Sequence, residues 1–296
     1  MTDSQVLSRR ERLPRQALRR GLRAVDEGST RVEDWRVTEA RTLRVGELFA
    51  GIGGIGLGLQ RAGMEISWQV EREEFCQKVL EKHCPDSRKW DDVRTFPPEP
   101  FGEWRVDMIA GGFPCPTVSV AGQRKGKDDE DRWLWPEMLR ICDLLRPDWV
   151  LVENVVGLLS AGDVRGSLFG DVVGGLASLG YDLEWRCLSA AQFGARHVRN
   201  RVFLLAYSSS VRQSGQGESL NASHPSPIIK GSAVDAVDGR FGQAWATEPD
   251  VGRVVDGVSP RLPRRNRLTA LGNAVVPQVT QFIGEQVLQY TEKNNG

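Results

Sequence analysis

Hydrophobic and polar positions along residues 43–288 fall into short blocks that switch between a period of two and a helical period. The stretch Leu43-Arg44-Val45-Gly46-Glu47-Leu48-Phe49 alternates and predicts a strand. It runs into Ala50-Gly51-Ile52-Gly53-Gly54-Ile55-Gly56-Leu57, a glycine turn that becomes helical by Leu57. Residues 66–70 predict a second strand, 73–83 a helix, 106–110 a strand, 134–145 an amphipathic helix and 149–152 a buried strand. Residues 167–179 read as helix, and 182–188 and 202–206 as two further strands. This alternation predicts an α/β fold, a doubly wound and mostly parallel sheet with helices on both faces.

The pattern changes at three places. Residues 1–40 carry many charges and few large apolar side chains, so they read as an Arg-rich extension outside the core. From 208 to about 265 the chain is rich in Ser, Gly, Pro and Asp and reads as a small irregular region inserted after a core of 41–207. Periodicity returns over 266–291, where Val275, Val279, Ile283 and Val287 share one face of a helix predicted for 271–288.

Composition narrows the class without naming the chemistry. With 296 residues and 40% hydrophobic content the chain is long enough for a sizeable core. It has neither an apolar run of membrane-spanning length nor a signal-like start, so a cytoplasmic protein is expected. The five cysteines include no C-x-x-C pair, which argues against a disulfide framework or a structural zinc site. Net charge is zero, yet arginines cluster at Arg9–Arg23 and again at Arg261, Arg264, Arg265 and Arg267, where phosphates could be met. A solvated face explains such clusters equally well.

The hexapeptide Gly111-Gly112-Phe113-Pro114-Cys115-Pro116 follows the predicted strand 106–110. Two prolines hold Cys115 on a stiff, extended turn at the end of a strand, where ligands gather in such sheets. A free cysteine is also an ordinary small core residue. The glycine turn around Gly51, Gly53 and Gly54 lets backbone amides approach a ligand at a helix N-terminus, but no Gly-Lys-Ser/Thr follows it. Phe49 at the strand end, Glu71 about twenty residues on and Asp92 after the next segment outline an adenosine pocket, although each carboxylate alone is commonly a cap or a solvated charge. Glu153-Asn154 places a carboxylate at the same sheet edge as Cys115, and His197, Arg199 and Arg201 alternate so that an extended chain points all three one way.

Taken in order, Phe49-Ala50-Gly51-Ile52-Gly53-Gly54, Gly112-Phe113-Pro114-Cys115, Glu153-Asn154-Val155, the arginine segment from Phe193 to Phe203 and Leu271-Gly272-Asn273-Ala274-Val275-Val276-Pro277 resemble the successive motifs of the DNA cytosine-5 methyltransferases. The resemblance covers residues 43–288. It departs at His197, where that family usually has Gln, at Pro116 and Thr117, and in the shortness of 208–265.

The resemblance implies the class I S-adenosylmethionine-dependent methyltransferase fold, Rossmann-like, with 41–207 as catalytic domain and 208–265 as a small target-recognition region. It implies S-adenosylmethionine held by Phe49, Gly51, Gly53 and Gly54, by Glu71, Asp92 and Val93 on its ribose and adenine, and closed over by Asn273. It implies no metal, and the acidic run 128–131 reads as a solvated loop.

In the chemistry so implied, Cys115, presented by Pro114, attacks C6 of cytosine. Glu153, next to Asn154, hydrogen-bonds N3 and the exocyclic amine, while Arg201, supported by Arg199, holds O2 and the neighbouring backbone. The target base must be flipped out of double-stranded DNA, and the loop 119–127 is expected to close over it. A bacterial or phage enzyme acting as a monomer, alone or beside a cognate restriction endonuclease, fits this picture. Methylation of cytosine in RNA, a catalytically silent DNA-binding homologue and an NAD-dependent oxidoreductase remain as rivals at this point.

Overall fold

The computed structural model describes residues 42–115, 133–163, 166–214 and 264–295. The Arg-rich extension, the loop 119–127 with the acidic run after it, and nearly all of 208–265 lie outside the described residues. Seven strands form one sheet: β1 (Arg44–Leu48), β2 (Glu65–Val70), β3 (Arg88–Trp90), β4 (Met108–Gly111), β5 (Trp149–Val155), β6 (Asp182–Ser189) and β7 (Asn200–Tyr207). Their order across the sheet is β3-β2-β1-β4-β5-β7-β6. The first five pair parallel with one another, and β7 runs antiparallel to both β5 and β6.

The described α-helices are α1 (Gly54–Ala62), α2 (Glu74–His83), α3 (Trp135–Leu145), α4 (Leu168–Ser178), α5 (Ser209–Ser214), α6 (Arg264–Asn273) and α7 (Pro277–Asn295), and two short strands, Gly162–Asp163 and Gly166–Ser167, pair in a separate small sheet. Strand alternation sends side chains to two separate cores. Val150 and Val152 of β5 pack with Met138 and Ile141 of α3 and Val172 of α4. Trp149 and Leu151 pack on the other face with Ile55 and Leu59 of α1 and with Val279, Ile283 and Val287 of α7. The doubly wound α/β sheet expected from the sequence is present, with its last strand reversed.

Four local expectations need correction. A strand at Arg88–Trp90 went unpredicted, because three residues are too few to show a period. The strand expected at 106–110 starts at Met108 and runs to Gly111. β5 continues through Val155, so Glu153 and Asn154 lie inside the strand and not after it. The single helix expected over 271–288 is two helices broken at residues 274–276. Pro277 has no N–H to donate and pushes the residue before it out of the helical region. α6 starts at Arg264, ahead of the helix start expected at Leu271.

Candidate active site

A cavity of about 1020 Å³ opens at the carboxyl ends of β1, β4 and β5. Its wall includes Phe49, Gly51, Gly54, Glu71, Asp92, Val93, Pro114, Cys115, Glu153, Asn154, Arg199, Arg201 and Asn273. The structure thus brings together residues drawn from seven separate sequence segments. Two of the expected residues stand apart. Gly53 is buried in the turn with φ +82° and does not line the cavity. His197 is exposed ahead of β7, and only Arg199 and Arg201 of the alternating trio reach the wall.

One half of the cavity is built on β4, β5 and β7. Because β7 is antiparallel to β5, its first residues meet the last of β5, and Arg201 sits in register with Val155. The Arg201 Nε lies 2.9 Å from Glu153 Oε1. Burial pushes the Glu153 carboxyl up to about 7 against the lowering pull of Arg201 and Arg199. Arg199 is pulled below its ordinary value by burial and by Arg201, and its buried Nε and Nη2 have no hydrogen-bond partner. A guanidinium with spare buried donors facing a cavity suits an oxygen acceptor on a ligand.

The Asn154 Nδ2 donates to the Phe113 carbonyl at 3.0 Å and ties β5 to the Pro114-Cys115 turn. Gly112 is needed at its position, since a Cβ there would lie 2.5 Å from Glu153 Oε2. Burial pushes the Cys115 thiol up to about 11.

The other half is the glycine turn. Phe49 has φ +54°, a conformation that costs a non-glycine residue on the order of 1–3 kcal/mol, and this turns the chain out of β1 with Phe49 on the cavity wall. Gly51 lies at φ +55°, and a Cβ on it would meet no atom within 4 Å, so the turn leaves open space there. The Glu71 carboxylate accepts the Gly51 N–H at 2.6 Å and the Glu73 N–H at 2.7 Å, which fixes the turn against the end of β2. Asp92 Oδ1 accepts the Arg94 N–H at 2.9 Å. The segment after α6 closes this side, where a Cβ on Gly54 would lie 2.5 Å from the Val275 carbonyl oxygen.

Sequence reasoning passed over Glu47. This carboxylate is fully buried in β1, where it accepts the Gly56 N–H at 2.9 Å and the Gln69 Nε2 at 2.7 Å. Gln69 Oε1 in turn accepts from Ser87 Oγ at 2.9 Å, and Lys89 Nζ donates to the same hydroxyl. The network pins the first turn of α1 beneath the cavity. A charged residue in the middle of a buried strand was the available signal.

Burial pushes Glu47 up to about 7, against its hydrogen bonds from Gln69 and Gly56. A carboxyl whose folded value is raised binds its proton more tightly folded than unfolded. Its contribution to stability is therefore full below about 4.5 and lost as pH rises through about 7. Thermal midpoints are expected to fall between pH 5 and pH 8, with Glu47 accounting for about 1–3 kcal/mol of the loss. Glu47→Gln flattens that profile; a slope as steep as wild type in the variant would contradict the assignment.

With this geometry in view, the relatives become informative. The sequence profile of the C-5 cytosine-specific DNA methylases matches residues 43–239, about two thirds of the chain. The chain belongs to that family.

Among curated members, the Type II methyltransferase M.NgoMIV of Neisseria gonorrhoeae is 38% identical over 165 residues, which is 54% of this chain and 50% of that protein. The Type II methyltransferase M2.BsuMI of Bacillus subtilis is 31% identical over 220 residues, 70% of this chain and 54% of that protein. The chain spans about half the length of these relatives. In three dimensions, a prophage-encoded E. coli protein assigned as a DNA modification methyltransferase superposes with a TM-score of 0.50 at 26% identity, covering 58% of this chain and 48% of that one. Entamoeba histolytica methyltransferase EhMeth shares the fold at a TM-score of 0.55 and 15% identity, over 86% of this chain and 99% of that one.

Proposed function

We propose that this C-5 cytosine-specific DNA methylase family member transfers a methyl group from S-adenosylmethionine to C5 of a cytosine turned out of double-stranded DNA. The observation that carries the reading is one cavity shared by Cys115, the Glu153–Arg201 pair, the unsatisfied Arg199 and the open glycine turn. The glycine-turn half suits S-adenosylmethionine. Gly51 leaves room for close approach, Glu71 keeps lone pairs for ribose hydroxyls, Asp92 and Val93 line the adenine end and Asn273 stands at the closing segment. When bound, the donor supplies a sulfonium methyl group.

C5 of cytosine gains nucleophilic character only after addition at C6. Cys115 Sγ gives up its proton to solvent and forms that bond, and the electron pair displaced from the C5–C6 double bond moves onto C5 and the ring. Glu153, neutral over half the population near pH 7, donates its proton towards N3 and accepts from the exocyclic amine. Arg201 keeps the carboxyl in place while Arg199 offers its spare donors to O2 and the adjoining backbone. Once C5 is methylated, loss of its proton to a base returns the electron pair to the ring, and the C6–Sγ bond breaks. Asn154 holds the turn that presents Cys115. Flipping the base costs a few kcal/mol of unstacking.

The reading extends to a cytoplasmic restriction–modification setting with a partner endonuclease, in which one copy of the chain serves each target base and residues 208–265 read the site. Expression in a host lacking 5-methylcytosine, followed by bisulfite sequencing, is expected to show methylation at one recurring sequence. Purified protein is expected to incorporate labelled methyl groups into duplex DNA and not into transfer RNA. Label in transfer RNA alone, or no recurring genomic site, overturns the DNA assignment.

A further inference from the structure

Glu47 takes no part in the transfer chemistry, yet it lies directly under the glycine turn, and two features of the backbone put it there. The β1–β2 register slips by one residue between Val45 and Gly46, so that Ser67 is an extra residue and Glu47 pairs with Gln69 instead of Trp68. The slip brings the Gln69 amide to the Glu47 carboxyl. Gly56 is bare where that carboxyl packs, since a Cβ there would lie 2.5 Å from Glu47 Oε2. Gln69 also touches the turn itself, because a Cβ on Gly53 would lie 3.8 Å from Gln69 Nε2.

The chain Glu47–Gln69–Ser87 has two complete hydrogen-bonding patterns. In one, Gln69 Nε2 donates to Glu47 and the Ser87 hydroxyl donates to Gln69 Oε1, which requires an ionised carboxylate. With the amide reversed, a protonated Glu47 donates to Gln69 Oε1, and Gln69 Nε2 donates to Ser87 Oγ. The Ser87 hydroxyl then turns to the Cys84 carbonyl, an acceptor already 3.1 Å away. Lys89 Nζ donates to Ser87 Oγ in both patterns. The contacts of 2.7 Å at the Glu47 end and 2.9 Å at the Ser87 end suit an O–H···O and an N–H···O bond as well as they suit the first pattern. Exchange between the two moves a proton and a planar amide but no backbone. The Gly56 N–H bond to Glu47 persists in both and is charge-assisted only when the carboxylate is ionised.

Three titratable groups surround this carboxyl among the described residues. Glu71 at the cavity end of β2 opposes its ionisation and Lys89 on β3 favours it. The Cys84 thiol, after α2, is pushed up by burial and by Glu47. α1 brings the Gly56 N–H, and β4 sets the apolar Ala110 beside it.

We propose that Glu47 is a positioning residue for the methyl donor, and that reversal of the Gln69 amide accompanies loss of one proton from Glu47 to solvent when S-adenosylmethionine binds.

This rests on the reading that the glycine turn holds S-adenosylmethionine. The donor carries a sulfonium charge into the cavity above the turn, and its ribose hydroxyls disperse the charge on Glu71. Both changes favour the ionised pattern. By reciprocity, a ligand that expels a proton binds more tightly as pH rises through the value of the group that held it. S-adenosylhomocysteine, the thioether left after transfer, has lost the sulfonium charge and gains less. The buried carboxyl thus helps the turn to prefer fresh donor over spent product.

S-adenosylmethionine affinity is expected to rise about three- to tenfold from pH 6 to pH 8.5 through this residue, and Glu47→Gln, which keeps the protonated pattern, removes that rise. Calorimetry at pH 7 in two buffers of different protonation heat counts the protons released. Wild type is expected to release about 0.3–0.4 proton more per donor than Glu47→Gln, and S-adenosylhomocysteine to show less than half that surplus. Glu153 also faces the cavity with a carboxyl pushed up to about 7, so the comparison is repeated in a Glu153→Gln background, where the surplus persists. In wild-type protein the Gly56 amide resonance follows pH with a midpoint near 7, and the donor lowers that midpoint by about 0.5–1. Equal proton counts in wild type and Glu47→Gln, a surplus that vanishes with Glu153, or a Gly56 midpoint unmoved by the donor overturns the proposal. Failure of wild type to bind either ligand overturns the cofactor reading and the proposal with it.

Discussion

Cys115→Ala is expected to abolish methyl transfer to DNA, with a fall of about 10⁴-fold or more, while S-adenosylmethionine binds with unchanged affinity. The separation follows from the cavity: Cys115 sits on the β4 turn, whereas the glycine turn, Glu71 and Asp92 form the other half. Labelled-methyl incorporation and equilibrium binding measure the two effects independently, and a variant that still turns over at the wild-type rate would remove Cys115 from its role.

The resting thiol sharpens the expectation. Burial pushes it up to about 11, so at pH 8 roughly one molecule in a thousand carries the thiolate. Alkylation of the free protein by iodoacetamide is expected to be slow at pH 8 and to rise about tenfold per pH unit towards 11. The nucleophile is therefore made when the base arrives and is not stored, which protects it from oxidation between turnovers.

Gly112→Ala is expected to cost nearly as much as altering the carboxylate itself. The added methyl group would meet Glu153 Oε2 at 2.5 Å, and Glu153 has little room to yield because Arg201 holds its other oxygen. Displacing the acid from the pyrimidine removes its help to the addition step, a loss of about 10²–10⁴-fold in rate. Glu153→Gln should fall in the same range. The double variant should be little worse than the poorer single one, since both changes disable one group. Fully additive losses would show that Gly112 acts by some other route.

The sequence carried the parallel strands, the glycine turn and the positions of Cys115, Glu153 and Arg201, because strand ends in such a sheet converge on one edge and the relevant residues stand at those ends. It carried less where tertiary packing outweighs local pattern. Arg88–Trp90 is a strand only because β2 offers it hydrogen bonds. The break at 274–276 was hidden by apolar spacing at 275, 279, 283 and 287 that continues across it, although Pro277 marked the place. Glu47 escaped notice because its partners Gly56, Gln69 and Ser87 come from three other segments and no local spacing joins them. His197 shared the alternation of the arginines but lies in a bend ahead of β7 and is exposed, whereas Arg199 and Arg201 reach the wall.

The reversed strand β7 also bears on how members of such a family could diverge. The gap between Glu153 and Arg201 is spanned by the hydrogen-bond ladder of two neighbouring strands, from Val155↔Arg201 down to Trp149↔Tyr207. A ladder has a fixed rung spacing, whereas a loop does not. Segments that leave the sheet below Tyr207 can lengthen, shorten or be exchanged without moving the acid relative to its cation. The architecture therefore separates the part of the chain that can drift from the part that must keep its tolerances.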